Sequence, residues 1–74
     1  MSMTLEELGK NIEYIRVAKG WTIHYAAQKA MIGWKQLENI EIGKGNPTMK
    51  VMFRIADSWQ VPIGDFFNIP GQPA

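Results

Sequence analysis

Seventy-four residues without a cysteine make at most one small domain, held by an apolar core because neither a disulfide framework nor a thiolate metal site is available. No leader-like hydrophobic region follows the start, and no apolar run approaches the roughly 20 residues of a bilayer span, so a cytoplasmic protein off the membrane is expected. Eight basic residues nearly balance seven acidic ones for a net charge of +1, which is uninformative until it is divided along the chain.

The chain opens with Thr4 and, three residues on, Glu7, the pattern of a capping box. Leu5, Leu8, Ile12 and Ile15 then recur at helical spacing until Lys19-Gly20 supplies a stop, which predicts a first helix over about 5–19. Thr22 suits the N-cap of a second helix over 23–30, whose inward positions Ala26, Ala27 and Ala30 are small enough for close helix approach. Met31-Ile32-Gly33 interrupts the pattern. A third helix follows over 34–42 with Leu37, Ile40 and Glu41 on one side and Lys35, Glu38, Asn39 and Ile42 on the other, and it stops at Gly43.

Gly43-Lys44-Gly45-Asn46-Pro47 reads as a polar loop. Thr48 caps a fourth helix over 49–59, with Met52, Ile55, Ala56 and Trp59 inward, and Val61-Pro62 breaks it. Proline fits the first turn of a short fifth helix over 63–67, anchored by Ile63, Phe66 and Phe67. The predicted class is all-α with five helices in one domain over 1–67, followed by a flexible tail over 68–74.

Charge is unevenly spread. Lys19, Lys29, Lys35, Lys44 and Lys50 face only Glu38 and Glu41 within the 19–50 segment, whereas the flanks are net acidic. The excess of cations spans the end of the first helix to the start of the fourth, around the helix pair and loop between them, as anion binding requires. Nothing points to catalysis: Gly43-Lys44-Gly45 is too short for a phosphate loop and lacks the following Ser or Thr, and no Ser-His-Asp set or convergent carboxylate pair occurs. His24, the single histidine, has Gln28 rather than a ligand four residues on, so it reads as a surface or phosphate-side residue. No enzyme, cofactor or metal is expected.

In combination, Leu8, Ile12, Ile15-Arg16, Lys19-Gly20-Trp21-Thr22, Ala26-Ala27, Leu37, Ile40-Glu41, Gly43-Lys44, Asn46-Pro47, Ile55-Ala56, Val61-Pro62 and Phe66-Phe67 resemble the Xre-type, lambda-repressor-like helix-turn-helix domain of phage and plasmid repressors. The resemblance covers about residues 5–67. It implies a second helix lying across the phosphate backbone and a third entering the major groove. Carried over by position, Gly33, Trp34, Lys35 and Asn39 stand in base-facing slots, Thr22, Ile23, Lys44 and Asn46 occupy or flank backbone-facing ones, and Arg16 and Glu41 form an internal salt bridge.

The side chains leave alternatives open within those slots. Lys35 suits guanine O6 and N7 or a phosphate; Asn39 suits adenine; Glu38 suits cytosine N4 or plain solvation. Trp34, with one donor and no acceptor, suits a thymine methyl or sugar, or packing against the second helix. Four positions depart from the family pattern: Ile23 stands for glutamine, Gly33 for serine or threonine, Met31 for the turn glycine, and Ala26 for leucine. Met31 implies a distorted turn or an unusual backbone angle, and Ala26 leaves a volume that Trp21 or Trp59 must fill.

The function implied is a sequence-specific DNA-binding transcriptional regulator, a repressor acting as a homodimer on a palindromic operator in double-stranded DNA. Phe53, Val51, Ile63, Phe66 and Phe67 are candidates for the dimer seam, the last two also for the core. The competing reading is a protein-interaction module, such as an antitoxin or adaptor, whose DNA face has decayed.

Overall fold

The computed structural model describes residues 3–68, and among them every regular element is helical. Four α-helices are α1 (Leu5–Ala18), α2 (Ile23–Lys29), α3 (Trp34–Glu41) and α4 (Met49–Trp59), followed by a 3-10 turn over Ile63–Phe67. That last element corrects the expected fifth α-helix. Five residues containing Gly64 close i→i+3 bonds more readily than α-helical ones, as in Asp65 N–H donating to the Pro62 carbonyl at 3.0 Å. The expected tail lies outside the described residues except for Asn68, which is extended.

The starts of the helices follow their capping residues. Glu7 N–H donates to Thr4 Oγ1 at 3.1 Å while Thr4 N–H donates to Glu7 Oε1 at 2.9 Å, completing the capping box. Thr22 and Thr48 accept from Tyr25 N–H and Val51 N–H at 3.1 and 3.2 Å. Gly33 begins α3 without a side-chain cap.

All four α-helices end in the same way, with a left-handed residue at φ between 57° and 79°: Gly20, Met31, Gly43 and Gln60. After α2, Met31 N–H donates to the Gln28 carbonyl at 3.0 Å and Ile32 N–H to that of Ala27 at 3.1 Å, the paired bonds of a Schellman motif. The turn is therefore regular, and Met31 carries the unusual angle, φ 58°. Its side chain is 82% exposed, so little packing offsets the strain. Met31→Gly is expected to raise stability by about 0.5–1 kcal/mol, the left-handed penalty less glycine's extra unfolded-chain entropy. Urea unfolding checks this, and an unchanged midpoint at constant slope would refute it.

The core gathers Leu8 and Ile12, the alanines Ala26, Ala27 and Ala30, Leu37 and Ile40, then Met52, Ile55, Ala56 and Trp59, with Phe66 closing one end. The volume left by Ala26 is taken by Trp59, whose Nε1–H donates to the Ala26 carbonyl at 3.1 Å; Trp21 stays half-buried and meets Trp59 edge-on at 5.8 Å. Phe66 is fully buried, which removes it from the seam candidates, and Val51 and Ile63 pack partly against the core. Phe53 and Phe67 remain exposed.

Two details fix how α1 holds the rest. Gly9 lies where α1 crosses the end of α3, and a Cβ there would overlap the carbonyl oxygens of Ile40 and Glu41. Asn11 Nδ2 donates to the Phe66 and Asn68 carbonyls at 2.9 and 2.6 Å, fastening the C-terminal turn to α1. Neither residue was singled out by the sequence pattern, since Gly9 interrupts no periodicity and Asn11 sits beside the apolar stripe.

Candidate nucleic-acid interface

The amphipathic pattern of α3 turns Leu37, Ile40 and Glu41 into the protein and leaves Gly33, Trp34, Lys35 and Gln36 exposed at its head. What holds this helix in place is an ion pair. Arg16 donates through Nε to Glu41 Oε2 at 2.7 Å and through one terminal nitrogen to Oε1 at 3.0 Å, while its other terminal nitrogen donates to the Trp21 carbonyl at 2.8 Å. The two side chains are 13% and 5% exposed. One guanidinium thus ties α1, the segment before α2 and the last turn of α3 together. The hydrogen bond to Glu41 raises the Arg16 pKa, partly offset by burial, and the Glu41 charge supports the rise. Arg16 is committed to this bridge and is not a free cation for a ligand.

On the outer face, Lys35 Nζ bridges Glu38 Oε1 at 2.9 Å and lies 5.4 Å from the centroid of the Trp34 ring. An exposed pair of this kind is worth about 0.3–0.5 kcal/mol, so a competing phosphate or base releases Lys35 at small cost. Trp34 is 44% exposed, and its ring meets the His24 imidazole of α2 at a centroid distance of 4.9 Å and a tilt of 49°. One part of the ring therefore packs on α2, and another faces solvent.

Asn39 is half-buried, and its backbone carbonyl accepts from Lys44 and Gly45 N–H at 2.9 and 3.1 Å. With Gln36, Gly45, Asn46 and Pro47 it lines a shallow groove of about 380 Å³ between α3 and the following loop. The groove gathers polar groups from both elements. Gln36 was not picked out in the sequence, although its amide stands in the exposed first turn of α3 beside Lys35.

The remaining expected residues are more dispersed. Thr22 is exposed, with its hydroxyl oxygen engaged as the α2 cap, and Lys44 and Asn46 are exposed on the loop. Ile23 turns its side chain against the core, leaving only backbone at that slot. Lys19 and Lys29 lie 5.2 and 5.4 Å from the Trp21 ring centroid, so two further cations collect around one aromatic side chain at the start of α2. Among the described residues no group of His, Cys, Asp or Glu is placed to hold a metal ion, and no helix is long and apolar enough to cross a membrane.

A helix of this pose, preceded by a shorter helix and a tight turn, is the arrangement in which a recognition helix presents its N-terminal residues to base edges. The family profile HTH_3, helix-turn-helix, matches residues 12–66, from the buried Ile12 of α1 to the buried Phe66. The chain belongs to this family. HTH_3 proteins are DNA-binding regulators, and residues 23–41 carry the motif that defines the group in this chain.

Solved structures agree on the HTH_3 fold. The restriction-modification controller protein C.AhdI from Aeromonas hydrophila superposes with a TM-score of 0.83 at 19% identity, over 85% of this chain and 96% of that one. An HTH_3 family transcriptional regulator from Vibrio cholerae gives 0.83 at 23% identity over 88% of this chain, which spans only 36% of that protein. The wild-type restriction-modification controller protein C.Esp1396I gives 0.79 at 28% identity, over 90% and 86% of the two chains. No curated protein matches the sequence.

Proposed function

We propose that this HTH_3 domain is a sequence-specific transcriptional repressor that binds a palindromic operator as a homodimer, with α3 of each protomer in the major groove. The observation that carries the reading is the head of α3, where Trp34, Lys35 and Gln36 are exposed while the bridge from Arg16 to Glu41 fixes the last turn. Lys35 donates to a base edge or the adjacent phosphate, Asn39 and Gln36 read from the groove, and Gly33 admits close approach because nothing lies within 4 Å of the Cβ position there. Thr22, the Ile23 backbone, Lys44 and Asn46 contact phosphates on either side. The exposed Phe53 of α4 and Phe67 supply apolar surface for the seam between protomers.

A domain of this size touches few base pairs, and two half-sites about one helical turn apart bring the specificity up to a useful level. Selection of bound duplexes from a random oligonucleotide pool tests the whole reading, since an enriched palindrome reports DNA binding and two-fold symmetry together. Affinity for that duplex is expected to fall with salt at a log–log slope of about −0.9 per neutralised phosphate. Lys44→Ala should reduce the slope by about 1 per protomer and weaken all sequences alike, whereas Lys35→Ala should relax discrimination at one position by about 1–3 kcal/mol if it reads guanine. A slope near zero would refute the electrostatic part.

The competing reading, a protein-interaction module of the antitoxin or adaptor kind, draws on the exposed apolar residues Tyr25, Met31, Trp34 and Ile42 of α2, α3 and the residues that end them. The double variant Lys35→Ala/Lys44→Ala separates the two. It loses duplex retention under the first and keeps its protein complex under the second.

A further inference from the structure

The head of α3 carries an exposed aromatic side chain. Trp34 is the first residue of α3, Gly33 before it has no side chain, and Lys35 after it is bridged to Glu38 at 2.9 Å. An indole offers one donor and no acceptor, so its surface matches the one apolar feature of the major groove, the thymine methyl. A ring at an exposed first-turn position is free to change rotamer unless another element restrains it. His24 supplies that restraint from α2, its imidazole 4.9 Å from the Trp34 ring centroid and tilted by 49°.

We propose that His24 and Trp34 act as one recognition element, in which the imidazole sets the plane of the indole and the indole reads a thymine methyl in the major groove. Trp34 touches the DNA; His24 is a positioning residue that works through it. The cross-helix contact at the DNA surface falls to the second residue of α2, not the first. Ile23 turns inward, and the next residue makes the cross-helix contact instead. The arrangement predicts a preference for thymine at a fixed place in each half-site, insensitive to hydrogen-bond pattern and sensitive to one methyl group. This rests on the DNA-binding reading above.

The test uses the full chain and the duplex enriched from the random pool, with each thymine replaced in turn by deoxyuridine, which removes only the methyl. For the unaltered protein, one replacement per half-site is expected to weaken binding by about fourfold, the worth of one buried methyl group. Trp34→Ala should bind more weakly and lose the distinction between thymine and deoxyuridine. His24→Ala should keep its melting temperature, because both rings lie at the surface, yet reduce the methyl effect to less than about twofold as the indole loses its fixed plane.

His24→Phe keeps an aromatic ring against Trp34 and discards every charge and hydrogen bond, so it should retain the methyl effect. If His24→Phe instead behaves as His24→Ala, or if His24→Ala leaves the methyl effect intact, the positioning role is overturned. An enriched duplex with no methyl-sensitive thymine overturns the thymine contact while leaving DNA binding standing. The absence of any enriched duplex overturns the DNA-binding reading and this inference together.

Discussion

Glu41→Ala is expected to cost about 3–5 kcal/mol of folding free energy, because it leaves the Arg16 guanidinium buried without its counter-charge. A domain of this length has about 4–11 kcal/mol to lose, so the variant should melt at least about 12 °C lower or fail to fold at ambient temperature. The carboxylate accepts two hydrogen bonds from Arg16, at 2.7 and 3.0 Å, and is almost wholly enclosed. Removing both charges is a different experiment. Arg16→Met/Glu41→Leu leaves no unpaired ion, and its loss should be well below that of Glu41→Ala, the remainder coming from the Trp21 carbonyl that Arg16 also serves.

The pH behaviour follows from the sign of the Arg16 shift. A folded-state pKa raised by the Glu41 hydrogen bond gives stability that is fully present below the ordinary guanidinium value and is lost only as pH climbs through the raised one. Arg16 deprotonation should therefore cause no loss of stability across the neutral and moderately alkaline range. Thermal unfolding of the three proteins checks the bridge, and an unchanged melting temperature for Glu41→Ala would rule it out as a structural pair. At temperatures where Glu41→Ala is still folded, its preference among duplexes should match that of the parent, since the residue faces inward.

Trp59→Ala should be comparably damaging, at about 3–5 kcal/mol, for a different reason. Trp59 is among the largest fully buried side chains, and its ring meets Trp21 and Phe66 edge-on at 5.8 and 6.2 Å above the small residues of α2. The alanines of α2 cannot expand into the space that truncation would leave. Trp59→Phe separates packing from hydrogen bonding, because it keeps an aromatic ring but removes one of the two hydrogen bonds the Ala26 carbonyl accepts, the other coming from Ala30 N–H, at about 0.5–1.5 kcal/mol. The expected order of denaturation midpoints is parent, Trp59→Phe, Trp59→Ala; a Trp59→Ala loss under about 1 kcal/mol would mean that the site collapses freely.

The orientation of α3 and the ion pair that holds it were legible before the structure, and what was missed has a common cause. The apolar stripe of α3 placed Lys35, Glu38 and Ile42 outward, and the family resemblance supplied Arg16 as the partner of Glu41. Periodicity, however, assigns a face and not a neighbour. It could not say that Lys35 reaches Glu38, that His24 meets Trp34, or that Asn39 and Asn46 share a groove with Gln36, because each of these depends on a rotamer or on the approach of a second element.

The sequence by itself determined the helices, through local signals that act within a turn or two: Thr4 with Glu7, Thr22 and Thr48 at the starts, Gly20 and Gly43 at the ends, and apolar spacing between. Only the tertiary structure decided the rest. Met31 and Gln60 take the left-handed angle that Gly20 and Gly43 take, because the packed helices on either side require a stop there whatever residue occupies it. Gly9 is needed only because α3 ends against it, and Phe66 is core rather than seam because the 3-10 turn points it under Trp59. Local hydrogen bonds and propensities are written along the chain. Close approach between distant segments is not, since it exists only once both have folded.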